Sequence, residues 1–284
     1  MLRLGVVSFL NARPLVEGLT DHADIECVFD VPAALPQRLL RGEVDVALVP
    51  LIDVLRAGGR LRVVSDACIG CDGQTLTVRV LSRVPPEQIE TLWVDPDSHT
   101  SVALAQLIWR QQFGRALELQ AIHPDEQDAA GLDCVLLIGD KVVSPHRGEF
   151  AYELDLGSAW RELTGLPFVF AVWASLAPGP ASPGPVAASG LAGRGTLDDL
   201  LARARDRGVA RASEIAAKHG PRLGWPVELA EHYLTRCMRY TLDERARAGA
   251  KRFAKLCAEA GLVPKGANIL WARATAAVPH GVRP

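Results

Sequence analysis

The chain has 284 residues, 49% of them hydrophobic, with 31 Lys and Arg against 33 Asp and Glu and a formal charge of −2. That length exceeds the usual single-domain size of about 100–200 residues and suffices for two modest cores, which excludes disorder as the default. The two signs of charge are interspersed, leaving no basic stripe for nucleic acid, and no run approaches the about 18 consecutive apolar residues of a membrane span. Residues 1–11 read as a buried strand running into polar residues rather than as an export signal, so the expected location is cytoplasmic, with neither nucleic acid nor membrane as partner.

Residues 2–8 predict a strand, and Pro14 opens a short helix to about Gly18, since its fixed φ and missing N–H suit a first turn. A second strand is expected over 25–30, a helix over 33–41 closed by Gly42, and a strand over 44–49 ending at Pro50. A further helix and a strand over 61–65 continue these βα units, which implies a mainly parallel sheet. After Gly73, Leu76, Val78 and Val80 alternate with polar residues up to Ser82 and the Pro85-Pro86 break, the pattern of a long strand leaving one lobe for another. A second α/β series follows, with strands over 91–94, 117–121 and 134–138 and a helix over 101–112. The apolar run 167–173 is the expected return crossing. Residues 177–195, dense in Pro, Gly, Ser and Ala, predict an exposed loop. Thr196 and Asp199 form a capping-box pattern before a helix over 197–207. Helices over 227–241 and 242–260 close the chain, with Leu229, Tyr233, Cys237, Tyr240, Phe253 and Leu256 turned inward.

An α/β lobe interrupted by a second and completed by the end of the chain is the layout of type II periplasmic-binding-protein-like folds. The expected division is 1–83 and 174–284 for the first lobe and 84–173 for the second, each a mainly parallel sheet flanked by helices, joined by a two-strand hinge. Ligands in such architectures bind in the crevice at the strand ends.

Three polar clusters fall where strands hand over to helices: Asn11 with Arg13; Asp97, Ser98, His99, Thr100 and Ser101; and Gly139, Asp140 and Lys141. Free backbone N–H groups and the helix dipole favour anions at such junctions. Each cluster alone is an ordinary cap or turn. Together, with Ser82 at a crossing, they point to a small anionic organic ligand held by hydroxyls and amides. Among the histidines only His99 stands where it could act as an acid or base, a surface role being the alternative. Phosphate-loop, dinucleotide, nucleophile-elbow and zinc-protease patterns are absent, so no cofactor is implied. The six cysteines are expected as free thiols, and Cys68 and Cys71 lack the two further ligands zinc would need, so no metal is expected.

Five segments in order carry a family resemblance: Ser8-Phe9-Leu10-Asn11-Ala12-Arg13-Pro14-Leu15; Gly42-Glu43-Val44-Asp45 through Pro50; Asp95-Pro96-Asp97-Ser98-His99-Thr100-Ser101; Leu137-Ile138-Gly139-Asp140-Lys141; and Asp155-Leu156-Gly157 through Thr164-Gly165-Leu166-Pro167-Phe168 to Trp173. They resemble the signature of the chorismate dehydratases of the futalosine route to menaquinone. The resemblance implies a cytoplasmic hydro-lyase on a solute-binding scaffold, converting chorismate to 3-[(1-carboxyvinyl)oxy]benzoate and water without cofactor or metal. Aromatisation supplies the driving force, so positioning and electrostatics suffice. Asn11 becomes the catalytic polar contact, on the departing hydroxyl or the enolpyruvyl group. Ser82, Ser98, Thr100, Ser101, Gly139 and Asp140 are assigned to the carboxylates and ring edge. Arg13 either pairs with a carboxylate or makes an exposed salt bridge, and Phe168 and Phe170 flank the ring unless one belongs to the core. The base is either the substrate's own enolpyruvyl carboxylate or His99. The rivals are the sister enzyme forming dihydroxynaphthoate, disfavoured by the Asn11-Ala12-Arg13-Pro14 opening, and a non-catalytic anion-binding protein.

Overall fold

The computed structural model describes residues 1–122, 131–144, 149–178 and 196–271. From residue 179 on, the loop expected over 177–195 lies outside them. Short runs of Val, Leu, Ile and Ala bounded by Gly, Pro or Asp become buried strands. The first sheet holds β1 (Leu2–Val7), β2 (Ile25–Asp30), β3 (Val46–Pro50), β4 (Leu61–Cys71), β10 (Phe168–Leu176) and β11 (Met238–Thr241), in the order β2-β1-β3-β10-β4-β11. The second holds β5 (Val78–Ser82), β6 (Thr91–Val94), β7 (Glu118–Ala121), β8 (Cys134–Ile138) and β9 (Tyr152–Asp155), in the order β7-β6-β8-β5-β9. Helices α1 (Leu35–Leu40), α2 (Leu51–Arg56) and α3 (His99–Gln112) pack on the first sheet. One apolar core runs continuously under both sheets, and a smaller cluster around Leu81, Val135 and Leu137 covers the far face of the second.

Both sheets are mixed, where mainly parallel ones were expected. The pairs β1–β2, β1–β3, β6–β7 and β6–β8 are parallel, but β10 runs antiparallel to both β3 and β4, and β5 antiparallel to β8 and β9. The strand that carries the chain across, and the strand that brings it back, each enter their sheet against the βα direction. Since β5 pairs only within the second sheet and β10 only within the first, the chain changes sheets at residues 72–77 and 165–167, not along the strands themselves.

Between these crossings stands α4 (Leu156–Thr164), and its cap explains the Asp155-Leu156-Gly157 motif. The Asp155 carboxylate accepts the N–H groups of Gly157 and Ser158 at 3.1 and 3.0 Å, and also those of Thr75 and Leu76 at 3.0 and 2.8 Å on the other crossing. Leu76 is held there at φ 67°, the left-handed region. A side chain at 157 would run into Thr75 and the Gly73 carbonyl, so only Gly lets the two crossings lie this close.

Two further expectations change. β4 extends to Cys71 because β10 and β11 pair with it on either side, which places Cys68 and Cys71 inside the sheet as buried free thiols; burial pushes the Cys68 thiol up to about 12. The capping box of Thr196 and Asp199 is present on α5 (Leu197–Ala210), which α6 (Ala212–His219) follows. The helix expected over 227–241 stops early: α7 (Val227–His232) passes into a π-helical turn (Tyr233–Cys237) and then into β11. The free edge of β4 captures residues 238–241, whose alternating Met238 and Tyr240 bury as a strand does. α8 (Glu244–Glu259) ends the described helices. No helix among the described residues is long and apolar enough to cross a membrane.

Candidate functional site

A cleft of about 550 Å³, its open mouth included, lies where the two sheets meet. The ends of β1 and β3 and the middle of β10 supply one wall, and the start of β5, the end of β8 and the first turn of α3 the other. Asn11 follows β1 on a 3₁₀ turn (Leu10–Val16). Its Nδ2 donates to the Tyr233 hydroxyl at 3.1 Å, while its Oδ1 is buried with no partner. The Tyr233 hydroxyl lies 2.8 Å from Thr77 Oγ1 on the first crossing. Burial pushes the Tyr233 phenol up, against its hydrogen bonds to Thr77 and Asn11.

The second wall is the start of α3, whose first turn carries no acidic residue, so the positive dipole end of the helix lies at the cleft. Ser98 is its N-cap, buried, with Oγ unpartnered. Thr100 is tied down: Oγ1 donates to the Phe170 carbonyl at 3.1 Å and accepts the Ile52 N–H at 3.3 Å. His99 Nδ1 sits 2.7 Å from the Asp53 carboxylate on α2, which leaves Nε2 as its unengaged ring nitrogen. The Asp97 carboxylate at the cleft wall is bonded by Lys141 Nζ at 2.7 Å, and the same ammonium lies 2.8 Å from the Asp95 carboxylate. Burial opposes the Lys141 charge, but hydrogen bonds to both carboxylates outweigh it and raise its pKa. Burial raises Asp95 by more than Lys141 lowers it. No Lys or Arg is among the described residues lining the cleft, so an anion there meets hydroxyls, amides and a helix terminus, beside an Asp97 carboxylate that Lys141 neutralises from behind.

A profile of the menaquinone biosynthesis family matches residues 2–259. The chain belongs to that family. It is 30% identical over 269 residues to the chorismate dehydratase of Thermus thermophilus, covering 89% of this chain and 93% of that protein. Among solved structures it resembles a protein of Archaeoglobus fulgidus, with a TM-score of 0.67 and 16% identity over 92% of this chain and 98% of that one. The periplasmic aliphatic sulphonate binding protein of Escherichia coli follows, with a TM-score of 0.60 and 17% identity over 94% and 90%. These likenesses establish the periplasmic-binding-protein-like fold for this member of the menaquinone biosynthesis family.

Of the residues singled out from sequence, Asn11, Ser98, His99, Thr100, Ser101, Gly139 and Phe170 line the cleft together. Four do not. Arg13, two residues on from Asn11 in a three-per-turn helix, leaves on another side; its guanidinium lies 4.4 Å over the Phe29 ring and donates to the Ser8 carbonyl. Burial lowers its pKa, against the pull of Asp140. Ser82 stands at the opposite end of β5 from Val78, about 13 Å along the strand, and its Oγ accepts the Val84 N–H. Asp140 turns its carboxylate to the Leu10 N–H at 3.3 Å and the Trp225 indole N–H at 2.8 Å, a tie between the sheets behind the cleft. Burial raises its pKa. Phe168 is core, packed edge-on against Trp160 and Phe253. The reading missed Phe9, Thr77 and Tyr233 of the lining and Asp53 behind His99. Tyr233 carried only the signal of an inward helical stripe, and nothing local marks Asp53, whose contact spans 46 residues.

Proposed function

We propose that this chain is a chorismate dehydratase, forming 3-[(1-carboxyvinyl)oxy]benzoate and water from chorismate on the futalosine route to menaquinone, in the cytoplasm. The observation that carries the reading is a pair of buried, unpartnered polar atoms, Asn11 Oδ1 and Ser98 Oγ, on residues lining one cleft beside a helix N-terminus. Buried polar groups are rarely left unpaired, and a ligand bearing hydroxyl and carboxylate groups answers both. The family and the Thermus thermophilus relative support the choice of chorismate.

In this reading one carboxylate rests on the Ser98 and Ser101 hydroxyls and the N–H groups of the first turn of α3, with Thr100 holding that turn to β10, and the ring lies along Phe9 and Phe170. Asn11 Oδ1 accepts from the ring hydroxyl. The carbon bearing the enolpyruvyl ether loses its hydrogen, and the neighbouring carbon loses the hydroxyl. The C–H electron pair joins the ring and the C–O pair leaves with oxygen, which takes a proton and departs as water. The enolpyruvyl carboxylate of the substrate takes the ring proton and hands it to the departing oxygen, so the carboxylate ends unprotonated and one water is released. A base held on the same molecule gains its rate from proximity, so the protein's part is to hold the reactive conformer. Incubating the purified protein with chorismate, without added cofactor, should give an aromatic benzoate one water lighter, read by ultraviolet absorbance and mass. Asn11→Ala should lower turnover about 100-fold or more. A folded protein that removes no water would shift the assignment to the dihydroxynaphthoate-forming sister enzyme or to an anion-binding protein.

A further inference from the structure

A primary amide has two different ends: Oδ1 accepts hydrogen bonds and Nδ2 donates them. Which end of Asn11 meets the cleft depends on what holds the other. Here Nδ2 is spent on the Tyr233 hydroxyl at 3.1 Å, and that hydroxyl lies 2.8 Å from Thr77 Oγ1. A phenol oxygen can take the Asn11 hydrogen while giving its own to Thr77, so the chain has a consistent direction that ends in an unpaired acceptor on the cleft. The tyrosine is itself fixed. It is 1% exposed and stacked on Trp225 at 4.9 Å and 15°, and the Trp225 indole N–H is anchored on Asp140 at 2.8 Å. Its backbone opens the π-helical turn that follows α7, a widening that recurs at functional sites.

We propose that Tyr233 is a positioning residue that holds the Asn11 amide with Oδ1 toward the ligand, so that the cleft selects a ring hydroxyl carrying a donor hydrogen, with the Thr77 hydroxyl left to donate beside it. The identity of the ligand rests on the dehydratase reading; the positioning rests on the hydrogen bonds alone. Tyr233→Phe keeps the ring and its stacking on Trp225 and removes only the hydroxyl that orients Asn11. The amide then loses its anchor and spends part of its time with Nδ2 toward the ligand.

Two measurements test this. With chorismate, Tyr233→Phe should lower kcat about tenfold while KM stays within about threefold, because the acceptor is used as the hydroxyl departs. In an Asn11→Ala background the same change should cost less than about twofold, since the residue it acts through is gone. An equal loss in both backgrounds overturns the inference, for a merely structural tyrosine acts independently of Asn11. The second measurement needs no turnover. The sequence contains two asparagines, Asn11 and Asn268, so asparagine-selective ¹⁵N labelling yields two side-chain amides. In the wild type one Asn11 amide hydrogen should exchange at least about tenfold more slowly than those of Asn268, and Tyr233→Phe should abolish the difference. An Asn11 amide that exchanges as fast as Asn268 in the wild type overturns the inference whatever the protein does to chorismate. Slow exchange that depends on Tyr233, in a protein that leaves chorismate intact, upholds the positioning and removes the dehydratase reading.

Discussion

Lys141→Met removes the cation that bonds Asp97 at the wall of the cleft. In the wild type its ammonium stands 2.8 Å from Asp95 and 2.7 Å from Asp97, with the Asp95 side chain 2% exposed, Asp97 21% and Lys141 itself 42%. Removing one partner of a fully buried pair costs about 3–5 kcal/mol, because the remaining charge is left uncompensated. Water reaches the Lys141 head, which reduces the loss to about 2–3 kcal/mol. At about 2–4 °C per kcal/mol for a chain of this size, thermal denaturation near neutral pH should show Tm falling by roughly 5–10 °C. The effect also has a sign with pH. Asp95 already sits above the usual carboxylate range because burial outweighs Lys141, and without Lys141 it rises further. A carboxyl with a raised folded pKa costs stability while ionised, and that cost declines as the pH falls through the folded value and is gone below the unfolded one. The gap between variant and wild type should therefore be widest near neutral pH and narrow as the pH falls into the acid range. Asp95→Asn in the Lys141→Met background should recover more than half of it. A gap that is absent, or that stays constant from neutral to acid pH, would refute the account of this network.

Gly139→Ala should destabilise by about 2–4 kcal/mol and raise KM at least about tenfold, since Gly139 has φ 58° and an added Cβ would stand 2.5 Å from the Phe9 ring; denaturation and steady-state kinetics read the two effects. His99→Gln should leave turnover nearly intact if the substrate carboxylate is the base, and a loss of about a thousandfold in the chorismate assay would give that role to His99 with Asp53 behind it. Thr196→Ala breaks the capping box of α5 and should lower Tm by about 2–4 °C with unchanged turnover, which calorimetry and the same assay check.

Strand bounds such as 91–94 and 134–138 were readable to the residue because an apolar run stopped by Asp or Gly needs no knowledge of its neighbours. Residues 238–241 were not, because their identity as a strand comes from the unpaired edge of β4, some 170 residues earlier in the chain. The same division holds in the cleft. Ser98, Thr100, Ser101 and Gly139 were legible through a local rule, that strand-to-helix junctions gather polar groups. Arg13 shared the junction with Asn11, and its place was left open between a carboxylate and an exposed salt bridge; the pitch of the 3₁₀ turn carries it away to Phe29. Tyr233 reaches Asn11 across 222 residues, a relation no periodicity encodes. The Asp155-Leu156-Gly157 motif was visible as a pattern, but its work of clamping one crossing to the other was not.

The position of β10 between β3 and β4 governs how the molecule comes into being. Until residues 168–176 are in place, β2-β1-β3 and β4 are two fragments, each ending in a bare strand edge where β10 belongs. A nascent chain thus emerges with its first sheet split while the whole second sheet is still being made. Closure must wait for a strand more than 100 residues distant in sequence, a long-range pairing that slows folding and leaves adhesive edges open in the meantime. Truncation anywhere before residue 168 should therefore yield aggregating material rather than a stable half-molecule, and a chaperone that shields strand edges has its longest task on this chain between the synthesis of β4 and the arrival of β10.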